Sequence, residues 1–271
     1  MISASGPKHR IVTEIVAPLS SIMTLQGGSL STQLLVSKPM GVVMEANDLW
    51  KLYASGESTV QAVKGVNVLV ESGEMIAIMG PSGCGKTTLL NVLSGIDEPT
   101  SGDVIIDSKP LFGVNDDERS RMRAEYLGFI FQDFNLLPVL SAVENVELPL
   151  LMLGKSAAES RKTALDALES VGLAERSDHR PSELSGGQQQ RVAIARAIVH
   201  NPSVILCDEP TGNLDSSTSS SVIQLLKSIN QKLGTTFLLV THDSDVADQC
   251  SRILRMEDGQ IISDERGSEE E

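Results

Sequence analysis

Gly80-Pro81-Ser82-Gly83-Cys84-Gly85-Lys86-Thr87 fits the spacing GxxxxGK[ST] and stands between an apolar run, residues 75–79, and a stretch of helical character, residues 86–93. A phosphate-binding loop needs that context. Its glycines let successive backbone N–H groups turn inward around phosphate oxygens. A helix beginning near Lys86 adds its positive end. Residues 80–88, Thr88 included, are expected to cradle a polyphosphate, with Lys86 reaching the β- and γ-phosphates and the Thr87 hydroxyl on Mg2+. Cys84 reads as a small residue that fits the turn.

Asp208 and Glu209 form a second candidate pair, at the end of the apolar run Val204-Ile205-Leu206-Cys207. In open α/β sheets, ligands collect at the carboxyl ends of strands. Asp208 can there hold Mg2+, and Glu209 can polarise an attacking water. Loop and acids together specify a nucleotide triphosphatase or a kinase without choosing between them. Leu184-Ser185-Gly186-Gly187-Gln188 opens another helix, with Ser185 near the cap and two glycines exposing N–H groups. It is a second anion site built on the same physics. One chain carrying two half-sites for one kind of ligand points to a symmetric head-to-tail homodimer, each phosphate loop facing residues 184–188 of the other copy.

These residues need a scaffold. Residues 42–47 and 60–70 read as strands, the second alternating around Val66, Val68 and Val70. Residues 204–207 and 237–240 read as buried strands. Residues 157–171, 188–199 and 216–233 read as helices, with Gly172 and Gly234 as stops. Continuous apolar runs alternating with helices indicate parallel βαβ units. The expected fold is an α/β P-loop NTPase core with an antiparallel β-subdomain, from residues 42–75 and part of 103–115, and an α-helical subdomain over about 136–198. The domain is expected to span 41–263. Residues 1–40, rich in Ser, Gly, Gln and Thr without sustained period, read as a flexible leader. Residues 257–271 carry seven acids against one arginine, and 264–271 are expected to form a solvated acidic tail.

Composition sets the outer bounds. Hydrophobic residues make up 41% of the 271 and aromatics only 3%, so the core must be aliphatic. A net charge of −14 argues against a nucleic-acid partner, which needs a basic face. Cys84, Cys207 and Cys250 are odd in number and far apart, giving neither a disulfide framework nor a zinc pattern. That suits a reducing, cytoplasmic compartment. The longest uncharged stretch, residues 15–37, is broken by Pro18, Gly27 and Gly28 and does not read as a spanning helix.

Over residues 42–263 the sequence resembles the ATP-binding-cassette (ABC) ATPases, with every family marker in order. Gln132 in Phe129-Ile130-Phe131-Gln132-Asp133 resembles the Q-loop glutamine that reaches Mg2+ and the attacking water. His242, after the strand ending near Thr241, is similar to the switch histidine that contacts the γ-phosphate. Asp215 in Gly212-Asn213-Leu214-Asp215 resembles the D-loop aspartate at the dimer seam, and Tyr53 the aromatic residue that stacks on adenine. The resemblance implies ATP and Mg2+ as ligands and ATP hydrolysis with Glu209, His242, Gln132 and Lys86 as its machinery. It also implies contacts to the partner copy's ATP from Ser185, Gly186, Gly187, Gln188 and Asp215, and an integral membrane permease that holds the chain at the inner face of the membrane. Glu144-Asn145-Val146-Glu147-Leu148-Pro149-Leu150, with the signature and D-loop wording, resembles the lipoprotein-release and macrolide-export group. The cell-division and peptide-resistance ATPases are near relatives. A soluble DNA-repair type is disfavoured, since no heptads and no CxxC lie between Gly80 and Leu184. A regulatory module that grips ATP but turns over slowly is disfavoured by Glu209 and His242.

Overall fold

The computed structural model describes residues 41–56 and 58–267; the expected leader and the last four residues lie outside them. Strands β1 (Val42–Ser55), β2 (Ser58–Glu71), β4 (Ser101–Ile106) and β5 (Lys109–Pro110) form an antiparallel sheet in the order β2-β1-β4-β5. A second sheet has the order β10-β9-β3-β8-β7-β6. In it β3 (Met75–Met79), β6 (Leu127–Phe131), β7 (Val204–Asp208), β8 (Thr236–Thr241) and β9 (Arg252–Glu257) run parallel, and β10 (Gln260–Arg266) closes the edge antiparallel. The helices are α1 (Lys86–Leu93), α2 (Asp116–Tyr126), α3 (Ala142–Met152), α4 (Ala157–Ser170), α5 (Gly186–Ile198), α6 (Ser216–Leu233) and α7 (Ser244–Ala247).

Both faces of the parallel sheet are covered, so its strands show no polar alternation. The pleat instead divides alternate residues between two cores. Val204, Leu206, Leu238 and Val240 pack with Leu89 and Val92 of α1 and with the antiparallel sheet. Ile205, Cys207, Phe237 and Leu239 pack with Val146, Leu168, Ile194 and Leu226 of the surrounding helices. Helix α4 buries Ala164 and Leu168, one helical turn apart, and Gly172 follows it at φ 76°.

Two expectations need correction. Strand β1 runs to Ser55, well past the expected end at 47, because its middle pairs with β2 on one side and β4 on the other. The acidic tail does not begin at 264. Asp264 and Glu265 belong to β10 and face arginines of β9: Arg252 to Asp264 at 2.7 Å and Arg255 to Glu265 at 2.9 Å. Arg266 reaches Glu74 at 3.5 Å. Cross-strand charge pairing turns an acidic run into an edge strand. Helix α2 had no periodicity to reveal it. It buries only Met122 and is defined by its Asn115 cap, whose side chain accepts the Glu118 N–H.

Candidate nucleotide site

The register of the parallel sheet assembles the site. Met79 lies beside Thr241, Val240 beside Asp208, and Asp208 beside Phe131. The next residue along each strand is therefore Gly80, His242, Glu209 and Gln132, four loops leaving one edge of the sheet. Residues far apart in sequence meet because the strands end level.

The first loop is built on close backbone approach. A Cβ at Gly80 would lie 2.0 Å from the Met256 carbonyl oxygen, and one at Gly85 2.1 Å from that of Ala62. Gly85 also has φ 106°, which side-chain-bearing residues rarely adopt. The β9–β10 turn buttresses the loop, with the Gly259 N–H donating to Cys84 O at 2.9 Å. Lys86 is 8% exposed and its ammonium donates to Gly80 O at 2.7 Å and Pro81 O at 2.9 Å, so it sits inside the turn. Ser82, Gly83, Cys84, Gly85, Lys86, Thr87 and Thr88 line a cleft of about 430 Å³ together with Glu209. Gly80, Pro81 and His242 line a second hollow of about 440 Å³.

Thr87 Oγ1 donates to Asp208 Oδ1 at 3.2 Å. Burial, then the Glu209 charge, push the Asp208 carboxyl above its usual range, against the Thr87 hydrogen bond and Lys86. No cluster of three or more His, Cys, Asp or Glu suited to a metal occurs among the described residues. One hydroxyl beside one carboxylate is nevertheless a donor set that fits Mg2+, which takes few protein oxygens and completes its shell with phosphate and water. Glu209 (φ 47°) lies 2.8 Å through Oε1 from His242 Nδ1. In the tautomer with the proton on Nδ1, the ring donates to the carboxylate and leaves Nε2 free.

Gln132 is tied through its amide nitrogen to the loop of residues 212–215. Its Nε2 donates to Asn213 Oδ1 at 3.0 Å, and Asn213 Nδ2 returns to Gln132 O at 3.3 Å and Asp133 Oδ1 at 2.7 Å. Asp215 caps α6, accepting from Ser217 and Thr218 through both backbone and hydroxyl. Those hydroxyl bonds hold its carboxyl far below the usual range. Tyr53 lies at the rim, 40% exposed, donating to Asp97 Oδ2 at 2.5 Å, and the Thr88 hydroxyl reaches the same phenol.

Ser185 caps α5 in a reciprocal box. Its Oγ accepts the Gln188 N–H at 3.3 Å, and Gln188 Oε1 accepts the Ser185 N–H at 2.9 Å. Ser185, Gly186, Gly187 and Gln188 are absent from the wall of the phosphate-loop cleft. A Cβ at Gly187 would lie 2.4 Å from Thr218 Cγ2, so glycine lets α5 meet the start of α6. Helices α2, α3, α4, α6 and α7 each carry a carboxylate at the cap or in the first turn. Helices α1 and α5 carry none. Their positive ends are left unneutralised by the chain, and α1 even places Lys86 there, against the helix dipole. Both ends suit an anion.

Sequence reasoning missed three connecting residues. Asn213 ties the Gln132 loop to residues 212–215. Buried Gln190 donates from Nε2 to the Pro210 carbonyl, joining α5 to the loop after Glu209. Arg196 donates to Phe134 O at 2.9 Å and Asn135 O at 2.5 Å, steadying two residues at positive φ. Asn213 and Gln190 sit inside motifs and could have been singled out there. Arg196 had no local signal.

Level strand ends, a glycine-built loop and a Thr–Asp pair define a P-loop nucleotide triphosphatase carrying an antiparallel sheet and a helical part. Residues 63–212 match the family model described as ABC transporter. The chain is 46% identical over 220 residues to the uncharacterized ABC transporter ATP-binding protein MJ1508 of Methanocaldococcus jannaschii, covering 81% of this chain and 98% of that one. It is 47% identical over 223 residues to the uncharacterized ABC transporter ATP-binding protein YbbA of Escherichia coli, covering 82% and 98%. It is similar in structure to MJ0796 of M. jannaschii, a cassette solved as a dimer in a post-hydrolysis state bound to ADP and Pi (TM-score 0.76, 45% identity, 82% and 98% covered). Another similar structure is cbiO1 of Clostridium perfringens, part of the ABC transporter complex cbiONQ (TM-score 0.74, 32% identity, 83% and 88% covered). The chain belongs to the ABC transporter ATP-binding family. It is the ATP-binding, ATP-hydrolysing subunit of such a transporter.

Proposed function

We propose that two copies close head to tail around ATP and Mg2+ and thereby drive a separate membrane permease from the inner face of the cell membrane. The observation that carries this reading is the separation of the two anion-ready helix ends. The α1 end lies in a cleft of its own chain with Glu209, while Ser185 and the α5 end lie outside that cleft. An α5 end that faces outward completes a site only on another copy. The dimeric form in which MJ0796 was solved supports the pairing of two copies.

Within each site, the loop N–H groups and Lys86 bind the β- and γ-phosphates, and Tyr53 stacks on adenine. Thr87 and Asp208 would hold Mg2+, which supplies charge neutralisation between phosphate oxygens. Glu209 orients the water that attacks the γ-phosphorus and accepts its proton as the bond to ADP breaks. His242 steadies Glu209 through Nδ1–H, and in the imidazolium form it also donates Nε2–H to the γ-phosphate. Gln132, tied to Asn213 through Nε2, has Oε1 for the metal and the water. From the partner copy come the Ser185 hydroxyl, the N–H groups of Gly186, Gly187 and Gln188, and the segment around Asp215. Loss of the γ-phosphate removes the group both copies touch, and the dimer opens.

Among the described residues no helix is long and apolar enough to cross a membrane. The permease contact is proposed at the groove of about 400 Å³ between α2, β6 and α3, lined by Phe129, Phe131, Pro149 and Met152. Met152 is 76% exposed, and Val139 nearby in sequence 73%, an apolar surface that suits a partner. Residues 144–150 carry the wording of the lipoprotein-release and macrolide-export group, which makes extrusion of an apolar or lipidated cargo the preferred task.

Glu209→Gln tests the closed dimer. The variant is expected to bind ATP, turn over at least a hundredfold more slowly, and accumulate as a dimer only with ATP in sedimentation or light scattering. A variant that stays monomeric at saturating ATP would overturn the reading.

A further inference from the structure

Tyr53 does not stand alone at the rim of the cleft. Its hydroxyl donates to Asp97 Oδ2 at 2.5 Å. The other oxygen of the same carboxylate takes the Lys51 ammonium at 2.6 Å and the Glu98 N–H at 2.9 Å. Lys51 also donates to Glu98 O at 2.7 Å and lies over the Tyr53 ring, 4.9 Å from its centroid. Around them, Leu52 N donates to Thr100 Oγ1 at 3.0 Å and Thr100 N to Trp50 O at 2.7 Å. The connection that follows α1 is thus laced to β1 along residues 50–53.

Three consequences follow. The ring cannot swing, because its hydroxyl is held by a carboxylate that is itself held by a lysine with 13% side-chain exposure. One face of the ring is taken by the ammonium, a favourable cation–π contact, so a second planar group has one face left. The polar edge of the phenol is engaged by Asp97 and Thr88, so a base is read through its π-surface rather than by hydrogen bonds to Tyr53. Thr88 belongs to the first turn of α1 and to the cleft wall, which ties the ring to the phosphate loop.

We propose that Asp97 and Lys51 are positioning residues that fix Tyr53 as a one-faced stacking platform for the purine of the bound nucleotide. This rests on the stacking role of Tyr53 given above, and it adds that the role depends on the carboxylate and ammonium behind the ring. Preorganisation of this kind raises affinity by removing the entropy of ordering the side chain on binding. It acts on the base and leaves the phosphates untouched.

The test is calorimetric titration of the full chain with ATP and, separately, with inorganic tripolyphosphate, which has no base, both without divalent metal. Tyr53→Ala is expected to weaken ATP about tenfold, the order of one base–aromatic stack, and to leave tripolyphosphate unchanged. Asp97→Ala and Lys51→Met are expected to weaken ATP about threefold to fivefold, again sparing tripolyphosphate. In the Tyr53→Ala background, Asp97→Ala should cause no further loss, because it acts through the ring. If Tyr53→Ala weakens ATP and Asp97→Ala does not, the positioning role is wrong and stacking stands. If Tyr53→Ala has no effect on ATP, stacking and positioning both fall. If Asp97→Ala weakens tripolyphosphate as much as ATP, the residue supports the phosphate helix and the proposal is overturned.

Discussion

The starts of α1 and α5 use one physical idea to different degrees of completion. Each is a helix end with no carboxylate to neutralise it and with glycine at its cap or in its first turn. At α1 the surroundings are finished. The cap is Gly85 with no side-chain bond, Lys86 is sealed in the turn, and Thr87, Asp208 and Glu209 stand close by. At α5 the cap is occupied by Ser185 and Gln188 bonded to one another, and the serine is exposed. A helix dipole makes an anion site possible, and what the tertiary fold places around it decides whether the site is whole or half.

That contrast can be broken most directly at Lys86. Lys86→Ala removes the charge-assisted donor from the finished end and is expected to weaken ATP binding roughly a hundredfold, read by calorimetry. Ser185→Arg should do the reverse. ATP affinity of the monomer should stay within about twofold, while ATP-dependent dimerisation and phosphate release fall at least about tenfold, since a long cation is driven into the seam. If Ser185→Arg weakened monomer binding as Lys86→Ala does, both ends would serve one chain's nucleotide and the difference between them would vanish.

The α1 end was fully legible from sequence because everything it needs is local: an apolar strand, a glycine turn and a helix within residues 75–93. Glu209 was legible for a related reason, since it ends a buried apolar strand, and His242 through the family resemblance; the parallel order brings the two strand ends together. The lacing was not legible. Asn213 holding Gln132, Gln190 reaching Pro210 and Arg196 holding residues 134 and 135 all join segments whose approach depends on how α3, α4 and α5 pack, and a single side chain leaves no period in the sequence. The C-terminal hairpin was misread for the same reason. Its acids looked solvated until Arg252 and Arg255 were placed opposite them, and its turn proves to buttress the phosphate loop through Gly259 and Cys84.

A smaller effect sharpens what Gly187 does at the unfinished end. Gly187→Ala places a Cβ 2.4 Å from Thr218 Cγ2 and is expected to lower stability by about 1–3 kcal/mol, the range for overpacking. Thr218→Ser removes that methyl and keeps the hydroxyl that bonds Asp215, so the double variant should recover most of the loss in thermal or urea unfolding. Absence of recovery would mean that Gly187 is required for its backbone alone and not for the contact between α5 and α6.

The smallest effect concerns the finished end and has the opposite sign. Burial, and then Glu209, raise the folded-state pKa of Asp208 above its unfolded value. The unfolded chain therefore holds fewer protons than the folded one just above the ordinary aspartate range, and stability falls as pH rises through that window. At neutral pH the ionised carboxylate is a net strain on the nucleotide-free fold, small because the group is only half-buried and water screens it. Asp208→Asn should raise the melting temperature slightly at pH 7 in metal-free buffer, and the gain should shrink as pH drops through the folded-state pKa, where the parent is protonated too. The same variant should lose the ability of Mg2+ to stabilise the ATP-bound form. A melting temperature that falls at pH 7 would show that Asp208 is held by the Thr87 hydrogen bond more strongly than it is opposed by burial, and a gain that persists unchanged at low pH would show that it does not come from the ionised carboxylate.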